Sequence, residues 1–132
     1  LKRGFASTFE ELFCSAEYIM SNGNSRVVLC ERGLRSYDPL SQNVLDLSAV
    51  PIIKEKTCLP VVVDPSHAAK NKKYVSALAL AAIAAGADGL IVEVHPDPES
   101  ALSDANQQIS LTEYDNLLSQ AKKVASAINR SI

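Results

Sequence analysis

The chain has no tryptophan, one methionine and two histidines among its 132 residues, and aromatics make up only 5% of them. It also lacks charge of one sign: 13 Lys and Arg stand against 15 Asp and Glu, a formal net charge of −2. The cations are scattered apart from "KNKK" at Lys70 to Lys73, which reads as a solvated loop. With no basic stripe interleaved with aromatics, a nucleic-acid partner is not expected. Long hydrophobic runs are missing as well. The longest, Val75 to Ala85, is alanine-rich and falls short of the ~20 residues that a membrane span requires, so no membrane helix is expected. Cysteine is sparse and odd in number: Cys14, Cys30 and Cys58 lack metal-type spacing. No basic-then-apolar leader opens the chain, and the natural reading is reduced thiols in a cytoplasm. Finally, methionine is missing from position 1. The opening "LKRG" reads as the continuation of a preceding segment.

What is present is 47% apolar residue content, arranged in a repeating order. Three runs rich in valine and isoleucine, Arg26–Cys30, Leu59–Val63 and Gly89–Val94, are continuous rather than alternating, as buried parallel strands are. Helical patterns follow. Thr8, with Glu10 and Glu11 behind it, caps a helix to about Met20. A second helix is expected over Val44–Lys56, broken or kinked by Pro51. A third covers Lys73–Ala85 and stops at Gly86. The fourth begins at Ser110 and places Leu111, Tyr114, Leu117, Leu118, Ala121 and Val124 on one stripe.

Strands alternating with helices define an α/β chain with a parallel sheet and right-handed crossovers. The repeat of about 30 residues is that of a βαβ unit and suits a (β/α)8 TIM barrel. A full barrel needs eight strands and about 250 residues, so the expectation is half a barrel, forming one domain over residues 1–132. An open half-barrel leaves its inner face and both sheet edges uncovered.

Ionisable residues gather at the strand ends. Lys2, Arg32, His67 and Glu93 close four consecutive strands, and Asp104 lies in the last long loop. In a barrel that rim is where the βα loops build the site. If the strand stays regular through Pro65, then Val61, Val63, Pro65 and His67 share a face, as do Ile91, Glu93 and His95, and Val28, Cys30 and Arg32. His, Glu and Asp offer one nitrogen and two carboxylates to a divalent ion such as Mn²⁺, Fe²⁺ or Zn²⁺. Lys and Arg suit a phosphorylated or carboxylated substrate.

Plainer readings exist for each residue. His67 is either a ligand or a loop histidine beside a helix cap at Asp64 or Ser66. A lone carboxylate at Glu93 would close an apolar run without a partner, which favours a functional role. Asp104 is a ligand or an Asx-turn residue. Arg32 contacts substrate or pairs with Glu31 or Asp64 at the rim. Cys30 reads as a small core residue, and His95 as an outer or solvent-facing group.

The stretches "LKRG", "LCERGLR", "LDLSAVP", "LPVVVDPSHA" and "ALAAIAAGADGLIVEVHPDPESALSDANQQ" together resemble 3-deoxy-7-phosphoheptulonate (DAHP) synthase, in the compact type I subclass related to 3-deoxy-octulosonate 8-phosphate synthase. The resemblance implies a metal-dependent transferase on a (β/α)8 barrel, acting at the first step of the shikimate pathway. It would condense phosphoenolpyruvate with erythrose 4-phosphate and release phosphate. It also implies metal ligation by His67, Glu93 and Asp104, phosphoenolpyruvate contacts from Lys2 and Arg32, His67 close to that substrate, and a homo-oligomer. The family's fourth metal ligand, a cysteine after the first barrel strand, and its "KPRTS"-like substrate loop have no counterpart in these residues. The expectation is therefore a C-terminal half that needs an N-terminal half-barrel for turnover. The octulosonate enzyme shares "CERG" and the metal triad, but "LRSYDPLSQN" and "DPSHA" favour the heptulonate enzyme. A non-catalytic half-barrel that binds a partner is the reading from another class.

Overall fold

The computed structural model describes residues 1–132. Three short strands, β1 (Leu29–Glu31), β4 (Val61–Val63) and β5 (Gly89–Leu90), form a parallel sheet in the order β1-β4-β5, with Leu29 opposite Val61 and Val63 opposite Leu90. Lys2 extends this order through a parallel bridge to Cys30, held by Cys30 N to Leu1 O (2.8 Å) and Arg3 N to Cys30 O (2.9 Å). The strands of this sheet are thus neighbours in chain order, parallel and joined through helices, which makes the fold a partial (β/α) barrel.

The helices lie where the capping chemistry sets them. α1 (Phe9–Ser21) and α5 (Leu111–Ala127) each begin with a capping box, Thr8 with Glu11 and Ser110 with Glu113, which satisfies otherwise free amides at the helix start. α4 (Lys72–Ala84) is followed by Gly86 at φ 95°. α2 (Ala49–Lys56) starts five residues later than the pattern predicts. The reason is a small antiparallel pair, β2 (Leu34–Arg35) with β3 (Asn43–Val44), which takes the first residues of the expected helix into extended structure, with a turn at Leu47–Ser48 before α2 begins. Pro51 is therefore in the first turn, where no amide is needed, and it breaks nothing. The strands are also shorter than expected. Arg26–Val28 lies outside β1, and the third run ends its ladder at Leu90, Val94 bridging Ile109 instead.

Leu29, Val61 and Val63 point toward the helices and form the main core with Leu12, Val50, Ile53 and Ala82. Val75, Ala79, Ile109 and Leu117 make a second cluster, and Ile83, Ala121 and Ala125 a third where α4 meets α5. On the fourth helix's predicted stripe, Leu117 and Ala121 are buried while Leu111 and Tyr114 are exposed. The opposite face of the sheet carries Cys30 and Val62, flanked by Val28 and Ile91, which are 41% and 40% exposed. That is the inner side of the arc, and it is incompletely covered.

The Arg3 guanidinium packs 4.1 Å over the Phe9 ring and bonds Glu31 Oε2 (3.1 Å) and Asp46 Oδ2 (2.8 Å), all on the helix side. The second Glu31 oxygen accepts Gly33 N at 2.7 Å. Gly33 itself sits at φ 92°, and a Cβ there would lie 3.0 Å from Asn43 Cβ and 3.2 Å from Ala68 Cα. The buried Glu31 carboxylate thus fixes the sharp turn that follows Arg32.

Candidate metal and anion site

β4 ends at Val63, and Pro65 opens a short helix, α3 (Pro65–Ala69), capped by Asp64. His67 consequently reaches the rim from a helical turn, so the strand parity expected through Pro65 does not place it. Proline fits the first helical position because its missing amide would have no partner there. Asp64 is fully buried. Its Oδ1 accepts His67 N (3.0 Å), and its Oδ2 lies 2.8 Å from His67 Nδ1 and 2.7 Å from Lys2 Nζ.

The other imidazole nitrogen, Nε2, faces Glu93 Oε1 at 3.4 Å. Glu93 is held from two directions, its N donating to Ser66 Oγ (3.0 Å) and its Oε2 accepting from Gln107 Nε2 (2.7 Å). The carboxylate at the end of the apolar run therefore has partners, and its side chain is 27% exposed. Asp104 completes the group from the long loop. It is exposed, with backbone in the left-handed region at φ 53°, and its carbonyl accepts Gln107 N at 3.0 Å. One ligand atom each from His67, Glu93 and Asp104 falls within 4.8 Å of the others. Ligand atoms on a shared divalent ion, each about 2.0–2.3 Å from it, are mutually separated by distances close to these. One nitrogen and two carboxylate oxygens suit such an ion, so the side chains present fit a divalent cation.

Arg32 lies apart from this trio, its guanidinium stacked 4.2 Å over Phe5. It pairs with neither Glu31, which holds Arg3, nor Asp64, which holds Lys2 and His67. Its Nη1 is buried without any hydrogen-bond partner, an orphaned donor that an anion would satisfy. Lys2 is 45% exposed despite its bond to Asp64, leaving other donors of the ammonium free. His95 turns into its own loop, Nδ1 within 3.1 Å of Asp97 N and 2.8 Å of Asp97 O, away from the trio. Cys30 is buried, and burial followed by the charge of Asp64 pushes its thiol up to about 11. It behaves as a core residue.

Sequence reasoning did not single out Gln107 or Arg3, and it treated Ser66, Glu31 and Asp64 only as cap or rim partners. Arg3 and Glu31 each adjoin a predicted site residue but face the opposite side of the sheet, a signal that strand alternation carries.

The chain matches the model of the DAHP synthetase I family over residues 1–130. It is 50% identical over 128 residues to a phospho-2-dehydro-3-deoxyheptonate aldolase of Thermotoga maritima, an alignment covering 97% of this chain and 38% of that protein. It is 35% identical over 118 residues to a 2-dehydro-3-deoxyphosphooctonate aldolase of Desulfotalea psychrophila, covering 80% and 41%. Among solved structures, a truncated form of 3-deoxy-D-arabino-heptulosonate 7-phosphate synthase from Thermotoga maritima superposes with a TM-score of 0.96 at 49% identity, over 99% of this chain and 50% of that one. A parallel sheet with ionisable groups at the strand ends is the pattern of a barrel enzyme. The chain belongs to the DAHP synthetase I family, and it spans well under two thirds of the length of the relatives it matches.

Proposed function

We propose that this chain is the C-terminal half of a single-domain barrel that condenses phosphoenolpyruvate with erythrose 4-phosphate to 3-deoxy-arabino-heptulosonate 7-phosphate, the first step of the shikimate pathway. The other half of the site comes from an N-terminal half-barrel. The observation that carries this reading is the grouping of His67, Glu93 and Asp104 within 4.8 Å, together with two cations whose donors are incompletely used. Lys2 is bonded but half-exposed, and Arg32 has a buried unpaired nitrogen. The higher identity to the heptonate aldolase, 50% against 35% to the octonate enzyme, favours the four-carbon aldose phosphate over a five-carbon one.

In this reading Lys2 and Arg32 bind the phosphate and carboxylate of phosphoenolpyruvate and stabilise the charge that grows on phosphate as its C–O bond to C2 breaks. C3 of the enol attacks the aldehyde carbon, and water adds at C2. Arg32 is held flat by Phe5, which preorganises its fork for a bidentate contact. His67, Glu93 and Asp104 would hold a divalent ion, which when bound would supply Lewis-acid polarisation of the aldehyde or of the attacking water. The enzyme works in the cytoplasm as a homo-oligomer. Three free cysteines, two of them exposed, suit a reducing compartment.

The test is complementation. The chain is assayed alone and with the N-terminal half of its Thermotoga relative, following phosphoenolpyruvate consumption with Mn²⁺ and erythrose 4-phosphate. Turnover only in the combined sample is expected. Binding of phosphoenolpyruvate with no turnover in either sample would favour a non-catalytic half-barrel.

A further inference from the structure

Asp64 touches neither the proposed ion position nor the open side of Lys2, yet it meets both groups that do. Its Oδ2 has two neighbours, the imidazole nitrogen Nδ1 of His67 at 2.8 Å and the Lys2 ammonium at 2.7 Å. Oδ1 accepts the backbone amide of His67 at 3.0 Å. The carboxylate has no solvent exposure, so these donors are the hydrogen-bond partners of its two oxygens. The geometry points to Asp64 as a positioning residue that fixes the tautomer of His67, with the proton on Nδ1 and the lone pair of Nε2 directed at the cation position. The same oxygen tethers the Lys2 ammonium beside it.

The alternative tautomer would place the proton on Nε2, facing Glu93. That contact is longer, 3.4 Å, and Glu93 is 27% exposed and already accepts from Gln107. A buried carboxylate at 2.8 Å is the stronger acceptor, because the hydrogen bond is charge-assisted and poorly screened. With Nδ1 protonated, Nε2 and Glu93 Oε1 present lone pairs to one another, an arrangement that a cation between them relieves. A metal-bound histidine whose other nitrogen donates to a carboxylate follows the same logic.

Asp64→Asn separates this role from packing. The amide is the same size but offers one acceptor and one donor group. If its NH₂ took the Oδ1 place it would oppose the fixed His67 N–H. The favourable orientation therefore puts NH₂ at the Oδ2 place, where it donates to Nδ1 and drives the proton to Nε2. Lys2, half-exposed, can swing into water.

This inference rests on the metal reading of the previous section, and the test separates the two. The chain has only two histidines, so histidine labelled with ¹⁵N gives two imidazole spectra, assigned with His95→Gln. In the metal-free chain at alkaline pH, His67 is expected as the Nδ1–H form, Asp64→Asn as the Nε2–H form, and Lys2→Met unchanged from wild type. An Nε2–H pattern in the wild type would overturn the inference, and this decides the matter even if Asp64→Asn fails to fold. An unchanged tautomer in a folded Asp64→Asn would also overturn it. In parallel, Mn²⁺ binding followed by electron paramagnetic resonance is expected to weaken by about 10–100-fold in Asp64→Asn, and equal affinities would count against the proposed role. If the wild-type chain binds no Mn²⁺ at all, the metal reading fails while the tautomer measurement still stands.

Discussion

Nε2 of His67 lies 3.4 Å from Oε1 of Glu93, and the two side chains arrive from different units of the barrel, one from α3 and one from beyond β5. Ser66 Oγ accepts Glu93 N at 3.0 Å, so the residue before His67 also fixes the backbone of its partner. The spacing between these two groups is set by backbone as well as by rotamers.

Glu93→Gln removes a charged ligand at little change in volume. Its affinity for Mn²⁺, measured by titration calorimetry, is expected to fall by at least the roughly 10–100-fold that outer-shell changes cause. Gln107→Leu, which deletes only the donor to Glu93 Oε2, is expected to fall within that range. An equal loss in both variants would argue that Glu93 is not a direct ligand.

Glu31 and Arg3 form a buried pair, with side chains 0% and 6% exposed. Removing one member of such a pair leaves an uncompensated charge and costs about 3–5 kcal/mol. Glu31→Ala is expected to lose stability of this order in urea unfolding, whereas the double change with Arg3→Met recovers part of it. Full additivity of the two losses would show that they do not act as a pair.

Gly33→Ala forces a side chain into positive φ and against Asn43 and Ala68. The backbone conformation alone is worth about 1–3 kcal/mol. A fall in thermal stability is expected, accompanied by weaker phosphoenolpyruvate binding, because the turn carries Arg32. Unchanged binding would detach Arg32 from the anion site.

Asp88 is bonded by Lys54 (2.6 Å) and Arg130 (3.0 Å). Its partial burial would raise its pKa, but hydrogen bonds, led by that from Lys54, outweigh burial and hold the carboxyl below the usual aspartate range. A depressed folded pKa contributes stability above the unfolded pKa, and that contribution is lost as pH falls through the folded one. Asp88→Asn is therefore expected to flatten the acid side of the stability profile and to leave its alkaline side unchanged. On the alkaline side, Cys30, at about 11, keeps its proton where an unfolded thiol has lost it. Its contribution declines as pH rises from the ordinary thiol range to that value. A thiol reagent at neutral pH is expected to label the exposed Cys14 and Cys58 quickly and Cys30 only on unfolding.

The legible parts of the fold were those written in local chemistry. Thr8 with Glu11, and Ser110 with Glu113, announce their helices three residues apart, and Gly86 announces the end of α4. The valine runs announce strands because burial on both faces removes alternation. Less legible were features decided by distant pairing. β3 forms because Val44 meets Leu34 across a loop, and that displaced the start of α2 and moved Pro51 into a harmless position. At the site, His67, Glu93 and Asp104 were singled out from residue type and strand order, and they come together from the helical turn after β4, from the chain beyond β5 and from the long loop. Asp64 was visible only as a cap or a rim partner of Arg32, since nothing local shows that its second oxygen would meet Lys2 from sixty-two positions away.

Lys2 and Arg3, like Glu31 and Arg32, are adjacent letters whose side chains serve opposite sides of one sheet. Inserting or deleting a single residue ahead of either dipeptide would rotate the strand by half its pleat. With the shift ahead of Lys2, the guanidinium now clamped over Phe9 would project into the open arc, and the ammonium would be driven among the helices toward Glu31 and Asp46, leaving Asp64 without it. A frame of one residue thus decides which cation faces the open arc and which is held inside the core.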